Sequence, residues 1–301
     1  MKVALSTMWW EQNGSLLHLL AQRTRDLGFR YVELGYRLTE DSLPAVDEAL
    51  QQSGLLPSSV HAPFPGPPGP HPLREADLSA VEAEARARAE DLVARSLEEA
   101  AARGAQIVVL HAGNVEPLGP LERELDRLFE AGRSDTPTYA ELREELLRKR
   151  DALAPRHLEW VREALSRLAA RAQALGVRIA LENRAHFRDL PSFPELAELL
   201  DTFAPTVGYW HDAGHAFRLA VMGFWSQESW LQAYGNRLLG IHLHDCVGLT
   251  DHQPPGYGHV PFAQIAPLLP ASVWRVFEVD SQYEEQALAS GVAYLRSLGV
   301  V

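Results

Sequence analysis

A chain of 301 residues with 46% hydrophobic side chains can bury one large core, and no apolar run in it approaches the roughly 18 to 20 residues that span a bilayer. Its 28 Lys and Arg face 40 Asp and Glu, a balance of −12 with Lys2 and Lys149 as the only lysines, so the basic stripe that grips a phosphate backbone is missing. The single cysteine, Cys246, rules out an internal disulfide and fits a reducing cytoplasm.

The opening MKVALSTMWWEQNGS reads as a strand and a polar loop, without the apolar core of a signal peptide. From there, short β-branched runs alternate with long amphipathic stretches. Strands are predicted near Val3–Ser6, Tyr31–Leu34, Ser59–His61, Ile107–His111, Arg178–Glu182, Gly208–Asp212, Gly240–His244 and Arg275–Val279. Helices are predicted at Leu16–Leu27, Ser42–Ser53, Leu78–Arg103, His157–Leu175, Pro194–Thr202, Gln227–Tyr234, Pro261–Leu268 and Glu284–Ser297. Gly28, Gly54, Gly104 and Gly176 fall where helices should stop and turn back. Eight strand–helix repeats without a linker predict one (β/α)8 TIM-barrel domain over residues 1–301.

Two segments break the repeat. Pro63–Pro72 is too proline-rich for a helix or central strand. An insertion of about residues 114–155 follows the fourth strand, with a charged, helix-prone run broken by Gly132 and Pro137. These extended loops after strands 3 and 4 lie on the face where barrel active sites are built, so a lid, a solvated excursion and a subunit contact all fit.

The polar residues decide the chemistry. His61, His111 and Glu182 close their strands; Asp212 and His215 sit in HDAGHAF, His242, His244 and Asp245 in GIHLHD, and Glu278 in FEVD. A single strand-end histidine is more often a hydrogen-bonded structural residue, and a single glutamate could pair with Arg184. Recurrence on strand after strand reverses that judgement. Carboxylates and imidazoles converging at one barrel mouth repel or stay unsatisfied without a cation. Donors without thiolate suit Mn2+, Zn2+, Co2+ or Fe2+; strand alternation points Cys246 elsewhere.

The segments SVHAP, VVLHAGN, ALEN, HDAGHAF, GIHLHD, DHQPPGYGHVPF and FEVD follow in order from Ser59 to Asp280. Singly, LEN or GYG is unspecific, but the ordered set resembles the xylose isomerase-like barrel superfamily. That superfamily joins sugar-phosphate isomerases and epimerases to abasic-site nucleases of the endonuclease IV class. The resemblance implies a divalent-metal site on Glu182, Asp212, His242 and Glu278. In the epimerase branch, Glu182 and Glu278 would remove and return a proton beside a carbonyl, and His215 would contact a substrate oxygen. In the nuclease branch, His61 and His111 would join Glu182 around a second ion. There His215, Asp251 and His252 would hold a third ion, although the spacing of the Asp251–His252 pair is shifted by about one residue.

The charge balance favours the first branch: a metal-dependent isomerase or epimerase of a small sugar or sugar phosphate, carrying one to three ions. Trp9 and Phe64, with Trp10, Trp210 and Trp225, are candidates for an apolar substrate wall or for plain core. Arg184 and Arg218, with Arg37 and Arg188, are candidates for an anion clamp or for surface ion pairs. The alternative is a multi-metal phosphodiesterase or abasic-site endonuclease. A barrel without catalysis is disfavoured by the four intact core positions. The expected partner is a small carbohydrate-like molecule, not nucleic acid or a membrane, and the expected assembly is a homodimer.

Overall fold

A computed structural model describes residues 1–10, 16–69 and 71–301. Eight parallel strands close into a barrel in chain order: β1 Lys2–Ser6, β2 Tyr31–Leu34, β3 Leu56–His61, β4 Ile107–Leu110, β5 Arg178–Glu182, β6 Val207–Asp212, β7 Leu238–Leu243 and β8 Trp274–Phe277, which pairs back onto β1. Helices α1 Leu17–Asp26, α2 Leu43–Ser53, α3 Ala83–Ala102, α4 Gly119–Glu130, α5 Pro137–Leu175, α6 Phe193–Thr202, α7 Ala213–Val221, α8 Gln227–Tyr234, α9 Phe262–Ile265 and α10 Glu285–Ser297 follow the strands. No helix among the described residues is long and apolar enough to cross a membrane.

Strand alternation divides the apolar residues into two cores. Ala4, Ile107, Val109, Ala180, Trp210, Leu239 and Val276 fill the barrel interior, packed by Tyr31 and Trp274. The opposite faces of the same strands meet the helices in the larger outer core. The Trp210 indole occupies the space a side chain at 240 would need: a Cβ on Gly240 would lie 2.2 Å from its ring. A register shift between Tyr209 and Trp210 accompanies this packing and sets which residues of β7 face inward.

The insertion departs from expectation. Its residues form α4 and the first half of α5, a 39-residue helix that starts at Pro137 rather than His157 and runs through Pro155. Thr136 caps its start and Gly176, in the left-handed region, its end. Gly132 (φ 67°) ends the turn after α4, as its sequence position suggests. The insertion is a packed buttress. Buried Arg150 of α5 donates to the Phe187 and Asp189 carbonyls and forks onto Glu195, and Glu122 of α4 accepts from Arg188 at 2.7 Å. Both clamp the loop that follows β5. Helix α7 had no sequence counterpart at all; it starts directly on Asp212.

Candidate metal centre

Each barrel strand places every second residue on the interior face, so its last inward position reaches the mouth. Ala180 in the core thus leads to Glu182, Trp210 to Asp212, and Val276 to Glu278 just beyond β8; the shifted β7 contributes His242. The side chains of these four residues converge, with one donor atom from each lying within 4.8 Å of the others. His242 Nδ1 is the meeting point: it lies 3.0 Å from Glu182 Oε1, 3.2 Å from Glu278 Oε2 and 3.5 Å from Asp212 Oδ2.

Burial alone would raise the carboxyls, but neighbouring imidazoles and Arg184 outweigh it. His111, Arg184 and His242 hold Glu182 well below the ordinary carboxylate range, and His215 with His244 and His242 does the same for Asp212. Burial works against a charge on His242, but Glu278 and Glu33 push it well above the ordinary imidazole range. The cluster is therefore an excess of buried negative charge that raises His242, His244 and His61, whereas burial holds His111 and His215 below the ordinary imidazole range. Three carboxylates and one imidazole, without thiolate, are a donor set that fits a divalent ion such as Mn2+, Zn2+, Co2+ or Fe2+.

Asp212 is held from three sides. Its Oδ1 caps α7 by accepting the His215 N–H at 2.7 Å, and its Oδ2 lies 2.9 Å from His244 Nε2. Buried Asn183 clamps its backbone: Oδ1 accepts the Asp212 N–H at 2.8 Å and Nδ2 donates to the Asp212 carbonyl at 3.0 Å. Tyr209 in turn donates to Asn183 Oδ1 at 2.8 Å. Asn183 and His244 are thus working residues of the site for which the sequence reading named no role.

Glu33 is the larger omission. It lies on β2, fully buried, with Oε1 3.0 Å from His242 Nε2, and its Oε2 accepts from Ser59 at 2.7 Å. Burial opposes its charge, but His242, His61 and Ser59 keep its carboxyl below the ordinary range. The signal was present: Tyr31 faces the interior, so Glu33 must as well. Leu34 closes the strand and hid it from a search of strand ends.

The outer candidates separate into two groups. His61 and His111 stand beside Glu182, with Nε2 atoms 3.6 and 2.6 Å from Glu182 Oε2. His61 Nδ1 lies 3.0 Å from the Ala62 carbonyl, which places a hydrogen on Nδ1 and turns Nε2 toward Glu182. His111 Nε2 is buried against Glu182 Oε2, at contact distance but without the ring alignment of a good hydrogen bond. On the other side, His215, His244 and His252 form a third cluster, with Asp251 Oδ2 3.5 Å from His215 Nε2. His244 Nδ1 accepts the His252 N–H at 2.9 Å, which leaves its Nε2–H for Asp212, so both ring nitrogens are engaged. His252 reaches this place with φ 56°, an uncommon backbone for a residue with a side chain.

The four substrate-contact candidates do not stay together. Arg184 is in the site, its Nη1 3.2 Å from Glu182 Oε2. Phe64 is wholly buried under the Arg103 guanidinium, against α3, so it belongs to the outer core and not to a substrate wall. Trp9 is buried too and donates its Nε1–H to the Tyr283 carbonyl. Arg218 spends its donors on Asp126 and the Leu249 and Ala185 carbonyls, which ties loops together and leaves no clamp. Of the other arginines, Arg188 pairs with Glu122 and Arg37 with Asp280 at 3.5 Å across the mouth.

A family model described as xylose isomerase-like TIM barrel matches residues 21–298. Curated protein sequences give no match. Among solved structures, apo 3-keto-D-glucoside 4-epimerase from E. coli superposes with a TM-score of 0.70 at 17% identity, covering 99% of each chain. D-psicose 3-epimerase in the presence of D-fructose gives 0.69 at 14% identity over 100% of both chains. L-ribulose 3-epimerase gives 0.69 at 17% identity, covering 99% of this chain and 94% of that one. At such identities the likeness is one of fold.

Proposed function

Since this chain belongs to the xylose isomerase-like TIM barrel family, we propose that it is a metal-dependent isomerase or epimerase of a small sugar or sugar phosphate. The observation that carries the reading is the approach of two carboxylates, Glu182 and Glu278, to one imidazole nitrogen at 3.0 and 3.2 Å in a closed mouth. A divalent ion held by Glu182, Asp212, His242 and Glu278 supplies polarisation of the carbonyl and hydroxyl oxygens of the substrate. The residues do the rest. One glutamate takes the proton from the carbon beside the carbonyl, and the other delivers a proton to that carbon or its neighbour. Arg184, against Glu182, balances negative charge as it develops, and His215 contacts a substrate oxygen.

The void lined by Ser6, Met8, Tyr36, Arg37, His61 and Glu278 is about 10 Å3, room for about one water and too small for a sugar. The solved structures compared above are epimerases acting on sugars by name, which agrees with this substrate class. The proposed setting is the cytoplasm and the proposed assembly a homodimer, open to test by sedimentation.

The deciding experiment is proton exchange with solvent deuterium. Glu278→Gln should abolish exchange at the carbon beside the carbonyl while substrate binding is largely kept; full exchange in the variant would rule out the two-glutamate mechanism. A second reading is favoured by one observation, the convergence of His61, His111 and Glu182, with His111 Nε2 2.6 Å from Glu182 Oε2, which suits a second ion and a phosphodiesterase. Abasic-site duplex at low salt tests it: efficient incision that disappears in His111→Ala would place hydrolysis first. The −12 charge weighs against a polyanionic substrate.

A further inference from the structure

We infer that Glu33 is a positioning residue for the metal centre: with Ser59 it fixes the tautomer and ring orientation of His242, so that Nδ1 faces the metal ligands. The inference rests on the metal reading of the four-residue cluster and not on the sugar chemistry.

A fully buried carboxylate on a barrel strand costs several kcal/mol of desolvation unless its partners are well placed. Glu33 has two such partners among the described residues. Ser59 lies directly opposite it in the β2–β3 register and donates its hydroxyl to Oε2 at 2.7 Å. His242 Nε2 lies 3.0 Å from Oε1. An ionised carboxylate only accepts, so the hydrogen of this contact is on Nε2. When an ion binds, the imidazole gives up its Nδ1 proton and presents a lone pair there, on the atom within 3.0 to 3.5 Å of Glu182, Glu278 and Asp212. The other end of the ring is thereby set by a group that touches none of the three carboxylates, which is the arrangement that orients and strengthens imidazole ligands. A leucine at this position would fill the barrel at lower electrostatic cost but would leave His242 free to flip.

The test uses Mn2+ alone, titrated into the full chain after chelator treatment. Glu33→Ala should bind Mn2+ about 10- to 100-fold more weakly than the unaltered chain. Glu33→Gln, whose amide oxygen can still accept from Nε2, should lose less. Circular dichroism establishes that each variant is folded. Affinities within twofold of the unaltered chain in both variants overturn the inference. A readout independent of variant folding is the 15N spectrum of the His242 ring in the zinc-loaded unaltered chain. A protonated Nε2 and a metal-bound Nδ1 support the inference; the reverse assignment overturns it. If the unaltered chain bound no Mn2+ or zinc, the metal reading would fail first, whereas normal binding with no effect of Glu33 would remove this inference alone.

Discussion

Asn183→Ala tests how the scaffold holds a metal ligand. The side chain accepts from Tyr209 and from the Asp212 N–H, and donates to the Asp212 carbonyl, all in a fully buried setting. Tyr209 keeps His211 Nδ1 at 2.6 Å after the change, so its hydroxyl is not stranded. The Asp212 N–H is stranded, whereas its carbonyl, at the N-cap of α7, keeps the first bond of that helix; a buried polar group left without a partner costs about 1–3 kcal/mol. A loss of about 1–3 kcal/mol is expected, a sizeable part of a typical domain's 5–15 kcal/mol. Tyr209→Phe, which leaves Asn183 on Asp212, should cost only about 1 kcal/mol. The assay is urea denaturation followed by circular dichroism, with chelator present so that metal linkage does not enter. An Asn183→Ala variant no less stable than Tyr209→Phe would refute the reasoning.

Other outcomes follow from the same structure. Burial pushes the Glu122 carboxyl up to about 7 despite Arg188. The folded chain therefore holds a proton that the unfolded chain releases near pH 4.5, and stability falls as pH rises between those values. Denaturation midpoints across that window should show the decline in the unaltered chain and a flatter profile in Glu122→Gln; parallel profiles would remove burial as the cause. Gly240→Ala drives a methyl into the Trp210 indole and should cost about 1–3 kcal/mol by overpacking, read as a lower Tm with altered near-ultraviolet dichroism. An unchanged melt would mean the indole moves freely.

The barrel was legible because its strands are short apolar runs bounded by turn residues; β2 and β5 match the predicted limits residue for residue. What failed did so for local reasons. Pro137 reads as a helix break and the helix as starting at His157, yet Pro137 opens α5, which continues through Pro155 because packing on the barrel sustains the helix. Helix α7 was masked by HDAGHAF, whose Asp212 serves both as cap and as metal-ligand candidate. Phe64 and Arg218 have side chains suited to substrate contact, and sequence does not tell which neighbours already occupy them. Glu33 was recoverable from alternation, since one inward-facing tyrosine fixes the residue two places on. Tautomers such as that of His244 depend on a single backbone N–H from His252, eight residues away, and lie beyond any pattern in the chain.

The most direct measurement is the metal content per chain by elemental analysis, in the unaltered protein and in Asp212→Ala. At least one tightly held divalent ion per chain is predicted for the unaltered protein and its loss in the variant. A chain that holds no ion even after incubation with Mn2+, Zn2+, Co2+ and Fe2+, or a variant that retains it in full, would contradict the assignment of Glu182, Asp212, His242 and Glu278 as a metal centre.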